Sequence, residues 1–201
     1  MGQTGVVRKS TTAPDLRLNV RCRIFIAMSE RSDGDARDLS DELLLRQCRW
    51  EAFRGPGPGG QKRNKTSSAV RVTHEPTGIS ATAGESRSQA QNRRRAVERL
   101  RHRMTLELRR PIDTDQFTRP AWFASALTGG TRLDLSPRSA EFLPVAGLVL
   151  DVLAAVGWSV SDAGRVLGIT TSNLVDFLQA DEKVWAHVNR ARGAAGLKPL
   201  R

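Results

Sequence analysis

The stretch Arg54-Gly55-Pro56-Gly57-Pro58-Gly59-Gly60-Gln61-Lys62-Arg63-Asn64-Lys65 limits what this chain can fold into more sharply than any other. Four glycines and two prolines between positions 55 and 60 are incompatible with a helix interior or a central strand, since glycine weakens both and proline lacks the N–H that either ladder needs. The segment must be an exposed loop. Glycine at 59 and 60 permits positive φ and removes two Cβ atoms, so another molecule can approach the main chain closely. Prolines 56 and 58 stiffen the approach, and Gln61 presents one carbonyl acceptor and two amide donors. A Gly-rich loop by itself is commonly only a turn, so its meaning rests on what flanks it.

Before the loop, Ser40 is placed to cap a short helix with Asp41 and Glu42 in its first turn and Leu43–Leu45 as its apolar side. Arg46–Phe53 reads as a strand, with Cys48, Trp50 and Ala52 alternating against Gln47, Arg49, Glu51 and Phe53. After the loop, Ser68–His74 alternates Val70 and Val72 against Arg71 and Thr73, Glu75-Pro76-Thr77-Gly78 has turn chemistry, and Ile79–Ala83 returns as the next strand. His74, at a strand end without a ligand partner at suitable spacing, reads as a surface or hydrogen-bonded histidine. Glu85 to about Leu108 is the clearest helix, with Val97, Leu100, Met104 and Leu108 as one apolar stripe among arginines. A helix on a small mixed sheet gives an α+β layer.

Of 201 residues, 39% are hydrophobic and 26% charged, which is ordinary, whereas a net charge of +11 is not. Its location is more informative than its size. Lys and Arg number 7 against 7 Asp and Glu in residues 1–45, 16 against 5 in 46–110, and 9 against 9 in 111–201. The whole excess lies around the loop, where a polyanionic partner is expected. No apolar run reaches membrane-spanning length, Phe142–Val156 being interrupted by Pro144, Gly147 and Asp151, so no membrane role and a cytoplasmic location are expected. Cys22 and Cys48 match no metal-ligand spacing, and neither a metal nor a cofactor is called for.

Six blocks follow one another through this segment: Gly57-Pro58-Gly59-Gly60-Gln61, Asn64-Lys65-Thr66, Ser68-Ala69-Val70-Arg71, Thr73-His74 with Pro76-Thr77-Gly78-Ile79, Arg87-Ser88-Gln89, and Gln91-Asn92-Arg93. In that order they resemble the catalytic domain of class I peptide chain release factors and of related ribosome-rescue peptidyl-tRNA hydrolases. The resemblance implies ribosome-dependent hydrolysis of the peptidyl-tRNA ester, with large-subunit rRNA and P-site peptidyl-tRNA as partners. It implies catalytic roles for Gly59, Gly60 and Gln61, the Gln61 backbone N–H donating to the developing oxyanion and its side chain positioning water. Gln61 becomes a candidate for methylation by a glutamine methyltransferase. Beside this loop, RNA contact is expected from Arg54, Lys62, Arg63, Asn64, Lys65, Arg71, Arg87, Gln89, Asn92, Arg93, Arg94 and Arg95. Ser86, Arg87, Ser88, Gln89 and Asn92 either brace the loop or touch RNA. Related domains commonly have His-Val after the glutamine, where this chain has Lys62-Arg63.

The remaining segments carry weaker signals. Residues 1–39 are expected to be disordered, or wrongly assigned with Met28 as the true start; 40–110 form the catalytic domain, 111–141 a linker that packs in places with one short helix at Ala121–Leu127. In 142–201, Val145–Val156, Ser159–Leu167, Thr171–Gln179 and Lys183–Ala194 read as short helices. Ser161-Asp162-Ala163 through Leu167-Gly168-Ile169, with Leu174 and Phe177-Leu178, resembles a helix-turn-helix. Its would-be recognition segment Thr171–Ala180 has no Lys or Arg and contains Asp176, which favours a packing or docking bundle over groove reading. Lys183, Arg190, Arg192, Lys198 and Arg201 keep weak nucleic-acid contact open, and the partner of this domain stays unassigned. Full-length release factors carry further domains for stop-codon reading, and none is visible before Arg46, so codon-independent action is expected. The competing expectation is a non-enzymatic RNA- or DNA-binding protein that uses the C-terminal helical domain.

Overall fold

The computed structural model describes residues 35–53 and 68–201. Ala36–Arg201 forms one compact unit; of the other, Met1–Asp35, only Asp35 is described. The expectations for residues 1–34 and 54–67 lie outside the described residues. Among the described residues the fold is α+β, with seven helices, a three-stranded antiparallel sheet and a two-stranded ribbon.

Helix α1 (Asp41–Arg46) begins where expected, Ser40 accepting a hydrogen bond from the Leu43 N–H at 3.3 Å, and it contributes the fully buried Leu44 to the core. The sheet runs β1 (Cys48–Phe53), β2 (Ala69–His74), β3 (Ser80–Ala83) in spatial order. The first strand starts at Cys48, not Arg46, because Arg46 still belongs to α1 and the Gln47 N–H closes that helix on Leu44 and Leu45. Cross-strand pairs Trp50↔Val72, Val72↔Ala81 and Val70↔Ala83 set the register. By alternation Cys48, Trp50, Val70, Val72, His74, Ala81 and Ala83 share the inner face. Ala52 shares that side but is exposed near the end of the edge strand.

Helix α2 (Gln89–Glu107) covers the inner face. Its buried row is Asn92, Ala96, Leu100 and Met104, with Leu108 following, so Ala96 takes the place expected for Val97, which is half-buried. A spacing of four residues forms one ridge, and the small Ala96 meets an equally small-faced strand at Ala81 and Ala83. The helix starts at Gln89, not Glu85: Ser88 accepts from the Gln91 N–H, while Glu85 pairs with Arg99 at 2.7 Å. Edge strand β3 is covered by arginines of α2, Arg99 donating to the Thr82 carbonyl at 2.6 Å and Arg103 to that of Ser80.

A second core lies in the C-terminal half. Helix α3 (Ala121–Ser125) is followed by the ribbon β4 (Leu127–Thr128) and β5 (Arg132–Leu133), then α4 (Phe142–Ala155), α5 (Val160–Leu167), α6 (Thr171–Gln179) and α7 (Glu182–Ala194). Phe123, Leu127 and Leu133 are buried with Phe142, Leu150, Leu153, Leu167, Leu174 and Leu178, so this part of the 111–141 segment is core. The expected helix at Ala121–Leu127 stops at Ser125 because Leu127 opens the ribbon, turned by Gly129-Gly130-Thr131. Gly168, left-handed at φ 67°, ends α5, and Thr170 caps α6 by accepting from the Asn173 N–H, giving the helix-turn-helix its short turn.

Helix α4 packs against α2. At that contact the carboxylate of Asp151, 2% exposed, accepts from both terminal nitrogens of Arg37 at 3.1 and 2.7 Å and from the Arg110 N–H at 3.0 Å. A residue noted in the sequence as an interruption of an apolar run thus fastens three segments together.

Candidate functional site

The pairing Phe53↔Ala69 is the last rung of the β1–β2 ladder, so the chain leaves the sheet at Phe53 and re-enters it beside its own exit. Between those points lie Arg54, Gly59, Gly60, Gln61, Lys62, Arg63, Asn64 and Lys65, all outside the described residues. The returning foot, Ser68, is held from α2. The Asn92 side-chain amide donates to the Ser68 carbonyl at 2.7 Å and to the Ser86 carbonyl at 2.8 Å, while its Oδ1 accepts from the Ser86 N–H at 3.0 Å. A Cβ on Gly84 would lie 2.9 Å from that of Ala69, so only glycine lets this turn close on the foot.

Asn92 therefore does not fit the expectation of direct RNA contact. It is fully buried and both amide hydrogens and its oxygen are engaged, because an unpaired amide at this depth would lose its hydration without return. It braces. Asn92 also sets where the other predicted residues stand, since α2 begins at the foot of the loop. Arg87, Arg93, Arg94 and Arg95 are exposed at this end of α2, as is Arg71 on β2 and Gln89 in the first turn. Arg87 and Arg94 have no carboxylate partner among the described residues. Arg93 lies 5.5 Å from the Trp50 ring centre and Arg71 5.6 Å from that of Phe53. Arg71 is also 3.7 Å from Glu51, and Arg95 3.8 Å from Glu85, both loose exposed pairs.

Further along α2 the arginines are used internally. Arg101 pairs with Asp41 and Arg103 with Glu107, and just beyond the helix Arg110 pairs with Asp38 at 2.5 Å. The net charge of 46–110 is thus available mainly at the loop end. Around the exposed guanidinium groups, the outer face of β1 and β2 adds Arg49, with Glu51 3.2 Å away.

The histidines all prove to be internal. His74 is fully buried between the Thr77 hydroxyl at 2.8 Å and the Gln47 side-chain oxygen at 2.9 Å, and burial lowers its pKa. At the junction of α2 with α7, His102 meets Asp181 at 3.1 Å. Asp181 also caps α7, and although burial works to raise its pKa, the Val184 N–H and the His102 ring outweigh it. Beside it Arg109, whose pKa desolvation pulls down to about 10, stays charged near neutrality and reaches His187 Nε2 at 2.9 Å. Burial, then the fields of Arg109 and Arg190, push His187 down to about 4. Neutral Nε2 can accept from the guanidinium; protonated it could not. Between pH 6.5, where a free imidazole titrates, and about 4 the unfolded chain binds a proton that the folded chain refuses, so stability must fall as pH drops through that window. Thermal melts over that range should show a shallower fall in His187→Gln than in the unchanged chain, His74 supplying part of the remainder; an identical slope would exclude His187 as a source.

None of these junction residues carried a signal in the sequence beyond their type. Asn92 did, through its place in Gln91-Asn92-Arg93, but its inward direction follows only from the helix starting at Gln89.

A three-stranded sheet under one long arginine-rich helix, with a Gly-Gly-Gln sequence between the first two strands, is the arrangement expected of a release-factor-type domain. Comparison with known proteins agrees: residues 40–121 match the family model described as the RF-1 domain. Residues 40–121 are thus similar to the RF-1 domain that class I peptide chain release factors carry. Relatives include peptide chain release factor 1 of Lactiplantibacillus plantarum, 49% identical over 70 residues, covering 35% of this chain and 19% of the relative. Peptide chain release factor 1 of Lawsonia intracellularis is 38% identical over 103 residues, 51% of this chain and 27% of that protein. Peptide chain release factor 2 of Paramagnetospirillum magneticum is 53% identical over 58 residues, 29% of this chain and 16% of the relative. The chain thus spans about a quarter or less of the length of these relatives. Among the described residues no helix is long and apolar enough to cross a membrane.

Proposed function

We propose that this chain hydrolyses the ester of P-site peptidyl-tRNA on the ribosome without reading a codon, releasing peptides from stalled translation in the cytoplasm. The observation that carries this is the foot of the loop: a Gly-Gly-Gln segment whose ends are pinned by the Phe53↔Ala69 rung and by Asn92, at the end of α2 where Arg71, Arg87, Arg93 and Arg94 stand exposed. Loose feet would leave the points of departure from the sheet unset; the rung and Asn92 fix them. The exposed guanidinium groups suit rRNA or tRNA phosphate, with Arg54, Lys62, Arg63, Asn64 and Lys65 extending that contact along the loop.

In this mechanism Gly59 and Gly60 admit the backbone to the ester, and the Gln61 N–H donates to the carbonyl oxygen as negative charge develops there. The Gln61 amide is too weak a base to take the proton from water, so it holds the water in line and excludes bulkier nucleophiles, while ribosome and tRNA supply the route of the proton to the leaving 3′ ribose. Methylation of Gln61 by a glutamine methyltransferase would change the shape of that filter and not its chemistry. We assign catalysis to 40–110, with 111–141 and 142–201 as an adaptor. Groove reading by α6 is disfavoured, its exposed residues being Thr171, Ser172, Asp176 and Gln179, without a cation.

Release measured on ribosomes carrying P-site peptidyl-tRNA, beside the same tRNA free in solution, tests the proposal. Hydrolysis on the ribosome alone is the expected result; equal hydrolysis of free peptidyl-tRNA would contradict it.

A further inference from the structure

The last helix and the residues after it carry five cations, Lys183, Arg190, Arg192, Lys198 and Arg201, and no carboxylate side chain follows Glu182. In the charge tally of 111–201 this concentration vanishes against acidic residues nearer the start of the segment. The structure restores it. Lys183, Ala186, Arg190, Gly193 and Ala194 are exposed, and their spacing lays them along one face of α7. The chain then turns back: Leu197 N–H donates to the Arg192 carbonyl at 2.9 Å, the Arg192 guanidinium to the Lys198 carbonyl at 3.1 and 2.9 Å, and the Leu200 N–H to Asn189 Oδ1 at 2.7 Å. Leu200 packs on the C-terminal core, which leaves Lys198 and Arg201 exposed beside α7.

Lys183, Arg190, Lys198 and Arg201 have no ion-pair partner among the described residues. Of the nearby carboxylates, Asp181 is engaged with His102 and the cap of α7 and Asp162 pairs with Arg165, while Glu182 is exposed in the first turn of α7. Arg192 braces the returning tail and lines a small cleft with Ser159, Ser161, Leu197 and Leu200. Folding a cationic tail onto a cationic helix face raises mutual repulsion, and the carboxylate side chain on this helix, Glu182, stands at its far end, in the first turn. Between the cations stand Ala186, Gly193, Ala194, Ala195, Gly196 and Pro199, all exposed. Such low relief lets a phosphate backbone come close, and it lacks the large apolar anchors that a protein interface or a membrane surface would use.

We propose that this face of α7 and the returned tail form a second RNA-contact surface, gripping the phosphate backbone of ribosomal RNA and holding the C-terminal half against the ribosome. The proposal rests on the ribosomal reading above. It is tested with the full chain carrying Arg190→Ala, Lys198→Ala and Arg201→Ala together, exposed positions that leave the core untouched. Binding to ribosomes with P-site peptidyl-tRNA is followed from about 50 to 200 mM salt. Affinity should fall roughly ten-fold or more and the salt slope by about one for each cation removed, with the concentration for half-maximal release raised and release at saturation unchanged. Removing Arg132, Arg138 and Arg165 in the same way should do neither. Unchanged affinity and slope, as a surface reserved for an acidic protein would give, overturns the proposal, and so does an equal loss in the control triple. If the unaltered chain binds with the predicted slope yet releases no peptide, the hydrolase reading fails and the surface stands.

Discussion

Gln61→Pro should abolish peptide release, whereas Gln61→Ala should weaken it and loosen its choice of nucleophile. Proline has no backbone N–H, so the substitution removes the donor proposed to stabilise the developing oxyanion, an effect of about 10²–10³ in rate where single donors of this kind have been removed. Alanine keeps that N–H and removes only the side-chain amide proposed to hold water in place. Its rate with water should drop by less than that of Gln61→Pro, and its rate with a small amine nucleophile should drop least of all. Ribosome affinity should hold in both, because the cations proposed to grip RNA are elsewhere, at the exposed Arg71, Arg87, Arg93 and Arg94 as well as in the loop. Rates at saturating protein, with water and with hydroxylamine, separate the two roles; equal loss in the two variants with no change in nucleophile preference would show that the side chain does not filter.

The largest effect on stability is expected at Asp151. Replacing it with alanine leaves the Arg37 guanidinium, 7% exposed, facing a cavity in place of two carboxylate oxygens, and strips the Arg110 N–H of its acceptor. Breaking one side of a buried pair costs about 3–5 kcal/mol, far more than the pair itself contributes over an apolar replacement. For a domain of this size that is a fall in melting temperature of roughly 10 °C. The double variant Arg37→Met, Asp151→Leu should recover most of the loss, since it removes the buried charge along with the carboxylate that faces it. Urea or thermal unfolding of the three proteins decides it; a single variant within about 1 kcal/mol of the unchanged chain would mean that water reaches Arg37.

Why Asp151 escaped the sequence reading, while α2 did not, follows from what a pattern encodes. Leu100, Met104 and Leu108 repeat at the period of a helix, and the strands either side of the glycine-rich loop alternate, so these elements are written in local order. Ala96 in place of Val97 shows the limit: both fit an apolar stripe, and only the small residues of the facing strand choose between them. The roles of Asp151, His102 and His187 depend on partners 114, 79 and 78 positions away, which no window contains. Asn92 was singled out by its motif as either a brace or an RNA contact, and the choice could not be read locally, because its neighbours are arginines and its partners are backbone atoms. The ribbon at Leu127–Leu133 could have been found from Gly129-Gly130 between two apolar residues, had the segment not been read as a linker.

One measurement bears on the central claim most directly: release of peptide by the full chain from purified ribosomes holding peptidyl-tRNA in the P site, with the A site empty, set at a stop codon, or set at a sense codon. Release from all ribosomes whose A site is free of tRNA, whatever codon it shows, and lost in Gln61→Pro, is the predicted result. Release confined to stop codons, or persisting undiminished in Gln61→Pro, would contradict it.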